Sequence, residues 1–208
     1  MKHLKMIGLA VVAALAIMAV AGAAGASAKS ILCSTNTHPC TGTKYGAGTK
    51  LTSTLKTGTV ATLTTSIGNV VCKKSTVSGA TTNGEGHGEI SGLTFTECAL
   101  GGTACTVSAV NLNYTATAIA GATTGNGTLT ISPKGAQGAP GASVVCGAFI
   151  NCTFQSSDLV LDVTGGNPAV IVASSEALTR SGGFCPSTSL WDAEYEVTSP
   201  KPLFLETS

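Results

Sequence analysis

The stretch Leu190-Trp191-Asp192-Ala193-Glu194-Tyr195-Glu196-Val197-Thr198 decides the fold class. Trp191, Ala193, Tyr195 and Val197 alternate with the acids Asp192, Glu194 and Glu196. In an extended chain successive side chains point to opposite faces. A period of two therefore puts the apolar set on one side and the carboxylates on the other. A helix would scatter both sets around its circumference. The segment reads as a strand with Trp191 and Tyr195 packed inward and the three acids in water.

The rest of the chain extends that reading. It is rich in Thr, Ser, Gly, Val and Ala and poor in Glu, Lys and Leu, a composition suited to pleated, half-buried surfaces joined by turns. Strands are expected near 49–56, 59–66, 69–77, 89–98, 105–118, 127–132 and 143–146, then 152–155, 158–164, 169–174, 190–198 and 201–206. The best helix candidate, 174–180, is short. Pro200 and Pro202 turn the chain before a terminal strand. Gly135, Gly138 and Gly141 are spaced by three but too briefly for a collagen helix, so 135–141 reads as an exposed loop. The expectation is an all-β, disulfide-stapled antiparallel β-sandwich or flattened barrel of about ten to twelve strands.

At the N-terminus, Lys2, His3 and Lys5 precede an apolar run over 6–25 and then Ala26-Ser27-Ala28, the small-x-small pattern of a signal-peptidase site. Residues 1–28 read as a signal peptide cleaved after Ala28, leaving 29–208 as one domain in a secreted, extracellular product. Removing Lys2 and Lys5 leaves nine basic residues against ten acidic ones. The only adjacent basic pair of the mature region is Lys73-Lys74, which offers no basic patch for nucleic acid or anionic membrane. No later segment is apolar enough to hold the mature chain stably in a membrane.

Cys33, Cys40, Cys72, Cys98, Cys105, Cys146, Cys152 and Cys185 all follow the leader. An even count behind an export signal points to four disulfides. Two segments look alike: Cys98 to Val107 resembles Cys146 to Phe154, each a strand, a short loop and a second strand. Eight cysteines permit 105 pairings. Short loops close at low entropic cost, which suggests Cys33–Cys40, Cys98–Cys105 and Cys146–Cys152, with Cys72–Cys185 left to join distant parts. Zinc is disfavoured because five or six residues stand between the members of each close pair; no metal and no cofactor is expected.

Few residues suggest catalysis. His38 and His87 are the only histidines after the leader, and no spacing supplies a rigid ligand set around either. No Gly-x-Ser-x-Gly elbow occurs. The acidic row Asp192, Glu194 and Glu196 is the best enzyme-like feature, since alternate residues on a strand lie about 6.5–7 Å apart, within reach of the separations used in glycoside hydrolysis. Alternate charges more often mark a wet strand face.

Cys105-Thr-Val-Ser-Ala-Val-Asn-Leu-Asn-Tyr114, Val163-Thr-Gly-Gly-Asn-Pro-Ala169 and Tyr195-Glu-Val-Thr-Ser-Pro-Lys-Pro-Leu203 resemble uncharacterised secreted β proteins of soil actinobacteria. That resemblance implies export and an all-β fold and brings no catalytic residue with it. The leading expectation is a non-catalytic domain binding an extracellular or cell-surface partner. The alternatives are a carboxylate-dependent hydrolase of polysaccharide and an enzyme inhibitor presenting the Cys33–Cys40 loop.

Overall fold

The computed structural model describes residues 29–182 and 185–208; the leader and its cleavage site after Ala28 lie outside the described residues. Among the described residues there are fourteen strands and no helix. They are β1 (Ser30–Cys33), β2 (Lys50–Leu55), β3 (Ala61–Thr65), β4 (Gly68–Thr81), β5 (His87–Leu100), β6 (Thr103–Val110) and β7 (Tyr114–Ala120). The second half supplies β8 (Gly127–Ser132), β9 (Gly141–Cys146), β10 (Ile150–Gln155), β11 (Leu159–Thr164), β12 (Val170–Gly182), β13 (Thr188–Ser199) and β14 (Phe204–Thr207).

Twelve of these close on themselves as an antiparallel barrel. One circuit runs β4–β5–β7–β8–β11–β12–β13–β2 and returns to β4; a second runs β4–β5–β6–β9–β10–β12–β13–β3. The four long strands β4, β5, β12 and β13 belong to both circuits. The short strands come in collinear pairs, β2 with β3, β6 with β7, β8 with β9, and β10 with β11. The chain thus moves up and down through eight consecutive positions, of which four are interrupted strands. Of the two architectures the sequence allows, the closed barrel is the one formed. Closure pairs every edge that a sandwich would leave open.

The interruptions have local causes. A single strand is expected over 105–118, but Asn111 and Asn113 take φ of 56° and 78°, the left-handed region that asparagine tolerates best after glycine. The ladder therefore stops at Val110 and resumes at Tyr114, and the Asn111 amide donates to the Ala139 carbonyl at 3.0 Å. Gly141 opens β9 where a Cβ would lie 2.1 Å from the Phe154 carbonyl oxygen, so only glycine lets the two backbones approach. Between β5 and β6, Gly101 and Gly102 have φ of 55° and 90°, the pair of positive values a two-residue hairpin needs.

The structure departs from the local sequence pattern at three places. The segment 174–180, the best helix candidate in a chain read as all-β, is part of β12. A bulge between Ala173 and Glu176, with Ser175 at φ 53°, resets the alternation, so that Ala173 and Leu178 are both buried although five residues apart. An odd spacing on one face does not look like a strand, which is why the sequence misleads. The strand β1 was not expected at all; it pairs with β14 from Ser30↔Thr207 to Cys33↔Phe204.

The third correction is the disulfide pairing. Cys33–Cys40 forms as expected, but the other bonds are Cys72–Cys98, Cys105–Cys146 and Cys152–Cys185. Cys98–Cys105, Cys146–Cys152 and Cys72–Cys185 do not form. The hairpins β5–β6 and β9–β10 do exist; the error lies in reading neighbours along the chain as partners. Cys72, Cys98, Cys105 and Cys146 form one lateral row, each opposite the next across β4, β5, β6 and β9. Cys98 therefore has a partner on either side, and its bond goes to Cys72, across a Cα separation of 3.9 Å. In β9–β10, Cys146 faces Ile150 while Cys152 faces Val144. That offset leaves Cys152 free to reach Cys185.

Candidate functional site

Closure turns one face of every strand into the wall of a lumen. On β11, Leu159, Leu161 and Val163 are buried, whereas Val160, Asp162 and Thr164 are exposed. On β13, Ala193, Tyr195 and Val197 are buried, as the opening stretch of sequence implies. The outer wall is hydroxyl-rich: Thr54, Thr76, Thr94, Ser108, Ser143 and Thr153 stand side by side across six adjacent strands. The barrel turns its polar side to the outside and its carbon inward.

That lumen is not filled. Two cavities of about 100 Å³ each lie along it. The upper one is bounded by Leu63, Val70, Phe95, Val107, Val144 and Trp191 among others. The lower one is bounded by Leu32, Leu51, Ala118, Val163, Leu203 and Leu205. Ser53, Val77, Ile90, Leu129 and Ile171 line both, forming a waist between them. Eight strand positions give a diameter at which side chains either fill the interior or leave room for one small ligand. Here they leave room, and an apolar void of this size in other proteins stays dry and takes small apolar molecules.

The few polar groups inside are grouped. Tyr195 stands opposite Leu55 across β13 and β2, and its hydroxyl meets the Ser75 hydroxyl of β4 at 2.9 Å. Burial pushes the Tyr195 phenol up to about 12, against a small opposing effect of the Ser75 hydrogen bond, because a phenolate there would be stripped of water. One row further along, Ser53 sits between Val197 and Val77, 6% exposed. No hydrogen-bond partner for its side chain occurs among the described residues. His87 stands at the rim of the lower cavity, exposed, with Nδ1 3.3 Å from the Thr117 hydroxyl.

The residues singled out for chemistry lie elsewhere. Asp192, Glu194 and Glu196 follow one another along the outer wall. The Asp192 carboxylate accepts the Ser175 backbone N–H at 2.8 Å, satisfying the β12 bulge. Glu194 is bonded to Lys56 at 2.5 Å, and that bond with its charge attraction raises the Lys56 pKa. The row serves the ladder and its neighbours. His38 lies in the Cys33–Cys40 loop against the Thr207 hydroxyl, Nδ1 to Oγ1 3.1 Å. Among the described residues no three His, Cys, Asp or Glu side chains gather as a metal site would require.

Sequence reasoning passed over the lumen. Its signal was present strand by strand as inward alternation, but whether twelve such faces meet in a filled core or around a void depends on closure. No family model, curated protein or solved structure matches this chain, so the site is read from its own geometry.

Proposed function

We propose that this is a secreted, non-catalytic binding protein that holds a small apolar molecule in the lumen of its barrel. The observation that carries the reading is the pair of adjoining carbon-lined cavities inside a closed antiparallel wall. Ligand sites are characteristically concave and mostly apolar, with a few placed polar groups. Four disulfides suit an oxidising, extracellular setting, where a carrier faces dilution and proteases. The hydrolase alternative has no such support, because Asp192, Glu194 and Glu196 lie on the outer wall, with Asp192 bonded to the Ser175 N–H and Glu194 to Lys56.

A thermal-shift panel on the oxidised protein tests the reading. A ligand that binds only the folded state at a hundred times its dissociation constant stabilises by about 2.7 kcal/mol. For a domain of this size that is a rise of several degrees, at roughly 2–4 °C per kcal/mol. Small hydrocarbons and alcohols are expected to raise the midpoint, and soluble glycans to leave it unchanged. A flat response to every apolar compound would overturn the proposal.

A further inference from the structure

Resting on the lumen reading, we infer that the ligand is a neutral, mostly hydrocarbon molecule bearing one hydrogen-bonding oxygen, and that Ser53 is the group that recognises it. Ser53 lines both cavities, is 6% exposed, and its hydroxyl has no protein partner among the described residues. A hydroxyl facing an apolar void without a protein partner is unfavourable relative to the same group in water; the fully enclosed unpaired side-chain atoms among the described residues are Ser189 Oγ and Glu206 Oε1, so Ser53 Oγ keeps surface open to the void. Val77 and Val197 occupy the flanking positions of the same row. A serine between two valines, facing an otherwise apolar void, is accounted for by a polar group that arrives from outside the chain.

The chemistry of that group follows from what surrounds it. The Tyr195–Ser75 pair holds two hydroxyl hydrogens and makes one hydrogen bond between them. Tyr195 lines only the upper cavity and Ser75 neither, so the hydroxyl shared by both cavities is that of Ser53, a donor and an acceptor in one group, which matches a hydroxyl or a carbonyl oxygen. It offers no cation: no Lys or Arg lines either cavity, and the one histidine stands at the exposed rim of the lower cavity. A carboxylate or phosphate would be left without a counter-charge in an apolar enclosure, at a cost of several kcal/mol. A plain hydrocarbon would fill the space but leave Ser53 unpaired. The cavities, each about 100 Å³, suit compounds of about the size of benzene, which a 150 Å³ cavity accepts.

The test compares hexane, hexanol and hexanoate on wild-type protein and on Ser53→Ala, with dissociation constants from titration calorimetry at neutral pH. Ser53→Ala is expected to weaken hexanol about tenfold, the equivalent of one hydrogen bond, and to leave hexane unchanged. Ser53→Thr, which keeps the hydroxyl, should restore hexanol binding, and hexanoate should bind weakest to every form. Equal weakening of hexane and hexanol by Ser53→Ala, or no change in either, would overturn the role of Ser53 while leaving the lumen reading intact. Failure of both hexane and hexanol to bind wild-type protein would overturn the lumen reading and this inference together. Should Ser53→Ala fold poorly, Ser53→Cys, which keeps the volume and weakens the hydrogen bond, supplies the same comparison, with a hexanol-specific loss expected and an unaltered hexanol-to-hexane ratio counting against the assignment.

Discussion

At one end of the barrel β1 and β14 lie across the opening and send Leu32 and Leu205 into the lumen, where they pack with Ala118, Val163, Val197 and Leu203. At the other end there is no added layer among the described residues: the strands turn back through 66–67, 101–102 and 147–149, and three disulfides cross the wall beneath. The first end is sealed by apolar packing of a short two-stranded sheet, the second held in shape by covalent bonds. The Cys33–Cys40 bond belongs to the sealed end and braces only the loop beside β1. The apolar side chains Ile67 and Phe149, 55% and 97% exposed, project from turns at the cross-linked end. The comparison teaches that the two ends are secured by different means, one by apolar packing across the opening and the other by covalent bonds within the wall.

The largest test of that contrast sets Phe154 against Leu205, both fully buried. Phe154 belongs to the core inside the cross-linked wall, so Phe154→Ala is expected to cost about 3–5 kcal/mol of global stability, measured by denaturant unfolding of the oxidised protein. Leu205→Ala should act through the stopper, exposing β1 and β14 amides to hydrogen exchange before the barrel opens. If both variants lowered the global midpoint equally and left exchange at β1 unchanged, the stopper would not be a separate unit.

Disulfide removal sharpens the same contrast. Replacing both cysteines by alanine at Cys105–Cys146, which closes 41 residues, is expected to cost about 4 kcal/mol on the chain-entropy model. The same change at Cys33–Cys40, which closes seven, should cost about 2.4 kcal/mol. A reversed order in unfolding experiments would place the covalent bracing at the wrong end.

The buried phenol beside the upper cavity gives a smaller effect. Tyr195 ionises at about 12 in the folded chain and near 10 when unfolded. Below pH 10 both states keep the proton and the neutral phenol costs nothing. As pH rises from about 10 to 12 the unfolded chain ionises first, so stability falls by ~2–3 kcal/mol. Tyr195→Phe should reduce that slope in stability measured from pH 9 to 12, leaving what Tyr45 and Tyr114, whose phenols burial also raises, contribute; an unchanged slope would mean Tyr195 is not a buried phenol responsible. The smallest effect is expected on the outer wall. Glu194→Gln removes a half-exposed ion pair on the outer wall of a kind that contributes little, and its unfolding midpoint should lie close to wild type.

Much of the wall was legible in the sequence and little of the lumen was. Alternation at Trp191–Val197 and the turn residues between strands located most elements, because period and turn chemistry are local. Where the backbone leaves the regular ladder, at Ser175 and at Asn111 and Asn113, the local pattern broke and the reading with it. The cysteine partners were hidden for a related reason. Cys98 has one neighbour near in sequence and another 26 residues away in sequence, both opposite it across the sheet. Lateral register alone cannot choose between them. Ser53 carried no signal either, since a serine in a Thr- and Ser-rich strand reads as outward until closure places it at the waist.

The most direct test of the account is a crystal structure of the oxidised protein soaked with hexanol. The account predicts electron density for the alcohol inside the barrel, with its oxygen within hydrogen-bonding distance of the Ser53 hydroxyl and its carbons between Val77, Ile90, Leu129 and Ile171. Density confined to the outer surface, with a lumen closed by shifted side chains, would contradict it.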